Sequence, residues 1–138
     1  MNADRKIQIN IPSIVDVEYI FESQYLPQTL DDLSLRLGFS FEHKDNELTI
    51  YAKVLCLNKT NVFISYTTAW TFRFANMEEV FEFATDGMKD KVSIMPALIN
   101  IVVNGVRGQL SLKTTDLPCG QIVLPLFNMD DILKTIRK

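Results

Sequence analysis

The chain has 138 residues, 47% of them apolar and 22% charged, which is room for one domain over residues 1–138 and too apolar for a disordered protein. Its formal net charge of −3 weighs against a nucleic-acid partner, because neutralising phosphates needs a basic surface that releases counterions.

The N-terminal residues Asp4, Arg5 and Lys6 are followed by apolar positions that alternate with polar ones, so no export signal is read there. From Ile7 to Phe21 the odd positions include Ile9, Ile11, Val15, Val17, Tyr19 and Phe21, and period two over that length predicts a long, half-buried strand. Pro12 has no N–H for a ladder and predicts a bulge or an edge in this run. On strict alternation Asp16, Glu18 and Glu22 share the opposite face, either as an acidic docking patch or as an ordinary wet sheet face. Arg36, Lys53 and Arg73 from the following strands are expected on the same face and dilute its field. Tyr25 and Leu26 then place two large apolar side chains on a connection.

Leu33, Leu35, Leu37, Phe39 and Phe41 alternate with polar or small residues as a second strand, reversed by a tight turn at Asp45-Asn46. Leu48, Ile50, Ala52, Val54 and Cys56 mark a third strand, and Val62, Ile64, Tyr66, Trp70, Phe72 and Phe74 a fourth. Short turns make them antiparallel neighbours with one apolar face. The aromatics of the fourth strand read as core packing, with a groove for apolar ligands as the other reading. Asn76 and Glu79 resemble a capping box ahead of Met77, Val80, Phe81 and Ala84, which predicts a short helix.

Lys91 to Val106 predicts a long helix that is apolar on nearly every side, through Val92, Met95, Ile99, Val102, Val103 and Val106 among others. A helix on one core surface keeps a solvated back, so these residues are expected to meet a second neighbour, most simply another copy of the chain. The run is shorter than the ~20 residues that cross a bilayer and is expected to be a buried helix with no direct membrane insertion. Gly105-Val-Arg-Gly108 reads as the helix end. The apolar connection up to Phe127 leads to a terminal helix capped by Asn128, with Asp130 and Asp131 in its first turn and Lys134, Arg137 and Lys138 at its end. The expected fold class is α+β: a four-stranded antiparallel sheet with one face covered by the long helix and a C-terminal helix.

No catalytic, metal or cofactor site is read, so the chain is not expected to be an enzyme. The single histidine, His43, falls beside a turn among Glu42, Lys44 and Asp45. There is no His/Cys spacing for zinc, no phosphate-cradling glycine loop after a strand, and no nucleophile elbow. Cys56 and Cys119 read as free thiols of a reducing cytoplasm.

Four antiparallel strands, a connecting segment, a long apolar helix containing Pro96 and Arg107-Gly108, a proline-bearing loop, and a last helix opened by Leu124-Pro125 to Asp130 together resemble the SecB family of export chaperones. The resemblance implies an ATP-independent holdase for unfolded or precursor polypeptides and protein export, assembled as a homotetramer from a dimer of dimers. Its client grooves map here to Tyr25 and Leu26 of the first crossover; to Leu117, Ile122, Leu124, Leu126 and Phe127 of the loop after the long helix; and to Met129, Ile132 and Leu133 of the last helix. Such sequence-tolerant binding uses exposed, adaptable apolar side chains. The chain departs from the family in having Pro96-Ala-Leu-Ile99 and Asn100-Ile-Val in its long helix. It also ends at Ile136-Arg-Lys138, short of the tail through which relatives engage the SecA motor. A chaperone dedicated to the antitoxin of a toxin–antitoxin pair, and a small-ligand domain using a cavity behind Trp70, are the alternatives.

Overall fold

The computed structural model describes residues 8–85, 87–127 and 130–132. Strands β1 (Ile9–Phe21), β2 (Leu33–Lys44), β3 (Glu47–Asn58) and β4 (Asn61–Phe74) form one antiparallel sheet in the order β1-β4-β3-β2. Asp45 and Lys59 take positive φ (54° and 59°) in the two hairpin turns, where a left-handed residue lets the strands reverse without splaying. The core face carries Leu48, Ile50, Ala52, Val54 and Cys56 from β3 and Ile64, Tyr66, Trp70, Phe72 and Phe74 from β4, all buried. Thr68 fills the gap in that last series, and its hydroxyl accepts the Trp70 indole N–H at 2.9 Å, so neither buried polar group is left unpaired.

β1 departs from strict alternation. Its pairing with β4 slips between Asn10 and Ser13, across Pro12, and again between Asp16 and Glu18. Each extra residue moves everything beyond it to the other face. Ile14, Asp16, Tyr19 and Phe21 consequently lie opposite the core-face residues Trp70, Thr68, Tyr66 and Ile64, whereas Val15 and Glu18 lie opposite Ala69 and Thr67. The expected one-faced acidic patch is thereby corrected: Asp16 and Glu18 are on opposite faces. Glu22 lies past the strand, where its N–H donates to Phe63 O at 2.8 Å.

The short helix expected after Asn76 is one tight turn, Met77–Glu79, with the Asn76 side chain accepting from Glu78 N at 3.2 Å. Phe81 and Phe83 then flank Glu82 with period two in a hairpin of β5 (Phe81–Ala84) and β6 (Gly87–Asp90). Phe81 meets Phe74 edge-on at 5.5 Å, and Phe83 stacks on His43 at 3.7 Å. These ring contacts hold the strand form that the capping signal alone did not announce.

Helix α1 runs Met95–Lys113. Its first turn is capped from outside the helix: the Asp90 carboxylate accepts the N–H groups of Val92, Ile94 and Met95 at 3.2, 3.0 and 2.6 Å, an anion placed at the positive helix end. Met95, Leu98, Ile99, Val102, Val103, Val106 and Leu110 form one stripe buried within the chain, while Ala97, Asn100, Ile101, Asn104, Gly108 and Leu112 are exposed. The helix therefore keeps a solvated back in which Ile101 and Leu112 stand among small and amide residues, and it passes through Gly105 and Gly108 instead of ending there. Among the described residues no helix is long and apolar enough to cross a membrane.

Candidate functional site

Two connections carry the apolar side chains read as a binding surface. The first is the crossover from β1 to β2, and the second is the return segment after α1. Asn58 Nδ2 donates to Tyr25 O at 3.1 Å, and Lys59 N to Asp32 O at 3.4 Å, which ties the crossover to the β3–β4 turn. Proline and a tight turn keep this stretch out of the sheet: Pro27 is buried, and Thr29 accepts from Asp31 N at 3.3 Å. Tyr25 is left 40% exposed, and Leu26 is half-buried against the core.

The return segment is held by Arg107, in the second half of α1, and by Thr114, its C-cap. Arg107 donates through Nε to Leu124 O and through Nη2 to Pro125 O, both at 2.9 Å, and through Nη1 to Asn104 Oδ1. Buried Thr114 accepts from Ile122 N at 2.8 Å while its hydroxyl donates to Leu110 O at 2.9 Å. Irregular backbone placed against a core must have its polar groups satisfied, and these bonds do so at Ile122 and Leu124. The segment then meets the crossover at Gly120, where a Cβ would stand 3.4 Å from Leu30 Cδ1.

The residues read as client-contacting thus divide. Leu126 is 90% exposed and Tyr25 is also open, and Leu26, Leu117 and Phe127 are half-buried. Ile122, Leu124 and Ile132 are buried in the core and act as anchors of the segment. Met129 and Leu133 lie outside the described residues; Asp130 to Ile132, which belong to the expected terminal helix, are helical. Val123, 54% exposed between the two anchors, was missed by sequence reasoning, although the alternation Ile122, Val123, Leu124 could have suggested an in-out-in pattern. Of the residues expected to meet another copy, Met95, Ile99, Val102, Val103 and Val106 are buried by the chain's own sheet, and Val92 alone is exposed. The space behind Trp70, where a ligand cavity was the alternative, is taken by the backbone of α1 at Gly105.

Among the described residues, the largest run of uncovered apolar side chains lies instead on β1. Ile11, Ile14, Val15, Val17, Ile20 and Phe21 are exposed, Val17 by 54%, and β1 is an edge strand with one free row of backbone groups. At its middle sits a polar cluster. Asp16 Oδ1 accepts the Tyr66 hydroxyl at 2.6 Å, and Oδ2 pairs with Lys113 Nζ at 2.9 Å. The ammonium lies 5.0 and 5.2 Å from the rings of Tyr19 and Tyr66, within cation–π reach. The Tyr66 bond first, and Lys113 next, hold the Asp16 carboxyl below its ordinary range. Burial, reinforced by Asp16, raises Tyr66. Among the described residues no cluster of His, Cys, Asp and Glu could hold a metal ion.

No protein-family model and no curated protein sequence matches the chain. Among solved structures it is similar to the SecB-like chaperone Rv1957 of Mycobacterium tuberculosis, in complex with a ChAD peptide from an antitoxin, at TM-score 0.57 and 11% identity, covering 87% of this chain and 88% of that one. A Streptococcus agalactiae protein of unknown function overlays at TM-score 0.44 and 11% identity, covering 88% of this chain and 100% of that one. With the element order, the antiparallel sheet and the long helix on one of its faces, the first overlay shows that the chain has a SecB-like α+β fold.

Proposed function

We propose that the chain is a non-enzymatic, ATP-independent holdase that binds unfolded or precursor polypeptides in the cytoplasm. The observation that carries this reading is the open apolar surface of the crossover and return segments, with Tyr25, Val123 and Leu126 exposed on a SecB-like fold. Tyr25 stands on backbone tied to Asn58, and Val123 and Leu126 on a segment held by Arg107 and Thr114, so a client strand meets prepositioned apolar groups without a specific polar code. A holdase of this kind binds the unfolded state and pulls folding equilibria toward it by mass action. Purified protein in several-fold excess over a slow-folding client is expected to delay refolding without nucleotide, and Leu126→Ser with Tyr25→Ser to weaken the delay. Refolding at the unassisted rate would count against the reading.

A client restricted to one antitoxin is the second reading, favoured by the antitoxin peptide bound to the similar chaperone. Capture from the native cytoplasm separates the two: many unrelated unfolded chains support the general holdase, and one small partner supports the dedicated one.

The proposed assembly uses β1. A long edge strand with exposed apolar side chains is a template for pairing with another chain, and a second copy offers the same strand in two-fold symmetry. The dimer forms through β1 and pairs again into a tetramer; the stripe from Met95 to Val106 stays within each subunit. Sedimentation at micromolar concentration tests this, and a monomer would remove it.

A further inference from the structure

A strand that pairs with its own copy must tolerate meeting its own charges, and the middle of β1 carries one. Full antiparallel overlap of Ile9–Phe21 puts the two-fold axis near Val15. Asp16 of each copy then lies diagonal to Asp16 of the other on the same face, roughly 7–8 Å apart. The carboxylate is not free to swing away, because the hydroxyl of buried Tyr66 holds it at 2.6 Å. An inward-pointing charge on an edge strand is a device that blocks self-pairing. Here the block is neutralised by Lys113, which reaches from the last turn of α1 to Asp16 Oδ2 at 2.9 Å and is kept there by the Tyr19 and Tyr66 rings.

We infer that Lys113 is the charge-compensating residue that licenses β1 to pair with a second copy of this chain. This rests on the proposed β1 assembly. Removal of the Lys113 charge leaves two fixed like charges near the symmetry axis, and the dimer weakens; removal of the Asp16 charge as well lifts the penalty. The edge is thus gated by one ammonium group contributed by a different element of the fold.

The test is analytical ultracentrifugation of the full chain as wild type, Lys113→Met and Asp16→Asn/Lys113→Met, at low and high salt, with circular dichroism of each variant. K113M is expected to dissociate roughly ten-fold more readily, to recover as salt screens the repulsion, and to return to wild-type affinity in the double variant. A merely structural contact would not be restored by salt or by the second substitution. An unchanged K113M dimer, or a deficit that persists in high salt and in the double variant, overturns the inference while leaving the β1 pairing standing. A wild type that remains monomeric overturns both.

Discussion

Gly105 of α1 lies directly over the Trp70 indole of β4. A Cβ at position 105 would overlap the ring, standing 2.7 Å from Cζ2 and 3.1 Å from Cζ3 in addition to its closest clash at Cη2. The glycine lets the helix backbone rest on the largest side chain of the core face, and that approach sets the height of α1 above the sheet.

Gly105→Ala is therefore expected to destabilise the fold by about 1–3 kcal/mol through overpacking, although alanine in a helix interior gains up to ~1 kcal/mol over glycine. The indole is boxed in by its Thr68 bond and cannot turn aside freely, so the clash wins. Denaturant melts followed by Trp70 fluorescence measure it, and an increase in stability would contradict the packing described.

Arg107→Ala removes the donors to the carbonyls of Leu124 and Pro125. Bonds from a charged donor contribute roughly 1.5–3 kcal/mol each, but Arg107 is only half-buried, so a loss near ~1 kcal/mol in global stability is expected, with a larger local effect. Limited proteolysis is expected to cut within residues 117–127 first, and client binding to fall with it. Arg107→Lys keeps the charge but not the fork that spans two carbonyls, and should rescue poorly.

The pH dependence of the Asp16 cluster has a definite sign. Its folded carboxyl titrates below the ordinary 3.8, so its stabilising contribution is present above 3.8 and is lost as pH falls through the lower folded value. Wild type is expected to exceed Asp16→Asn in melting temperature at neutral pH, with the gap closing only under strongly acidic conditions. The magnitude is modest, since the Asp16 side chain is 45% exposed and solvent screens the pair. A gap that widened on acidification would rule the assignment out.

Cys56 is buried on the core face of β3, and burial pushes its thiol up to about 12. The thiolate is the reactive form, so Cys56 is expected to resist alkylation in the native protein. Cys119, only partly buried in the return segment, is expected to react first. Mass spectrometry after brief iodoacetamide treatment should find the label on Cys119 alone, and on both after denaturation; native labelling of Cys56 would show that β3 opens.

The strands β2, β3 and β4 were legible because Leu33 to Phe41, Leu48 to Cys56 and Ile64 to Phe74 alternate as the pairing requires; at the start of β4 the register shifts at Phe63, which is buried beside Ile64 and takes the place expected of Val62. β1 was legible as a strand but not in its facing, since a bulge is one unpaired residue and leaves no mark in composition beyond Pro12. Phe81 to Ala84, the first strand of the hairpin, was read as part of a helix because the Asn76 capping signal is real but supports a single turn, Met77–Glu79. The candidate surface was half legible: Tyr25 and Leu126 are open, whereas Ile122 and Leu124 look the same in sequence and are buried.

By itself the sequence determined the local alternatives: three strands of largely regular alternation, a long helix rich in branched apolar residues, and two apolar connections, all governed by periodicity between near neighbours; the helix bounds, Met95–Lys113, came from the structure. Only the tertiary structure decided which apolar residues are covered. It turned the stripe from Met95 to Val106 inward, left β1 as the open apolar edge, and brought Lys113 to Asp16 across 97 positions of chain. Burial depends on what arrives from far along the chain, and hydrophobic pattern specifies that a residue wants cover without specifying what supplies it.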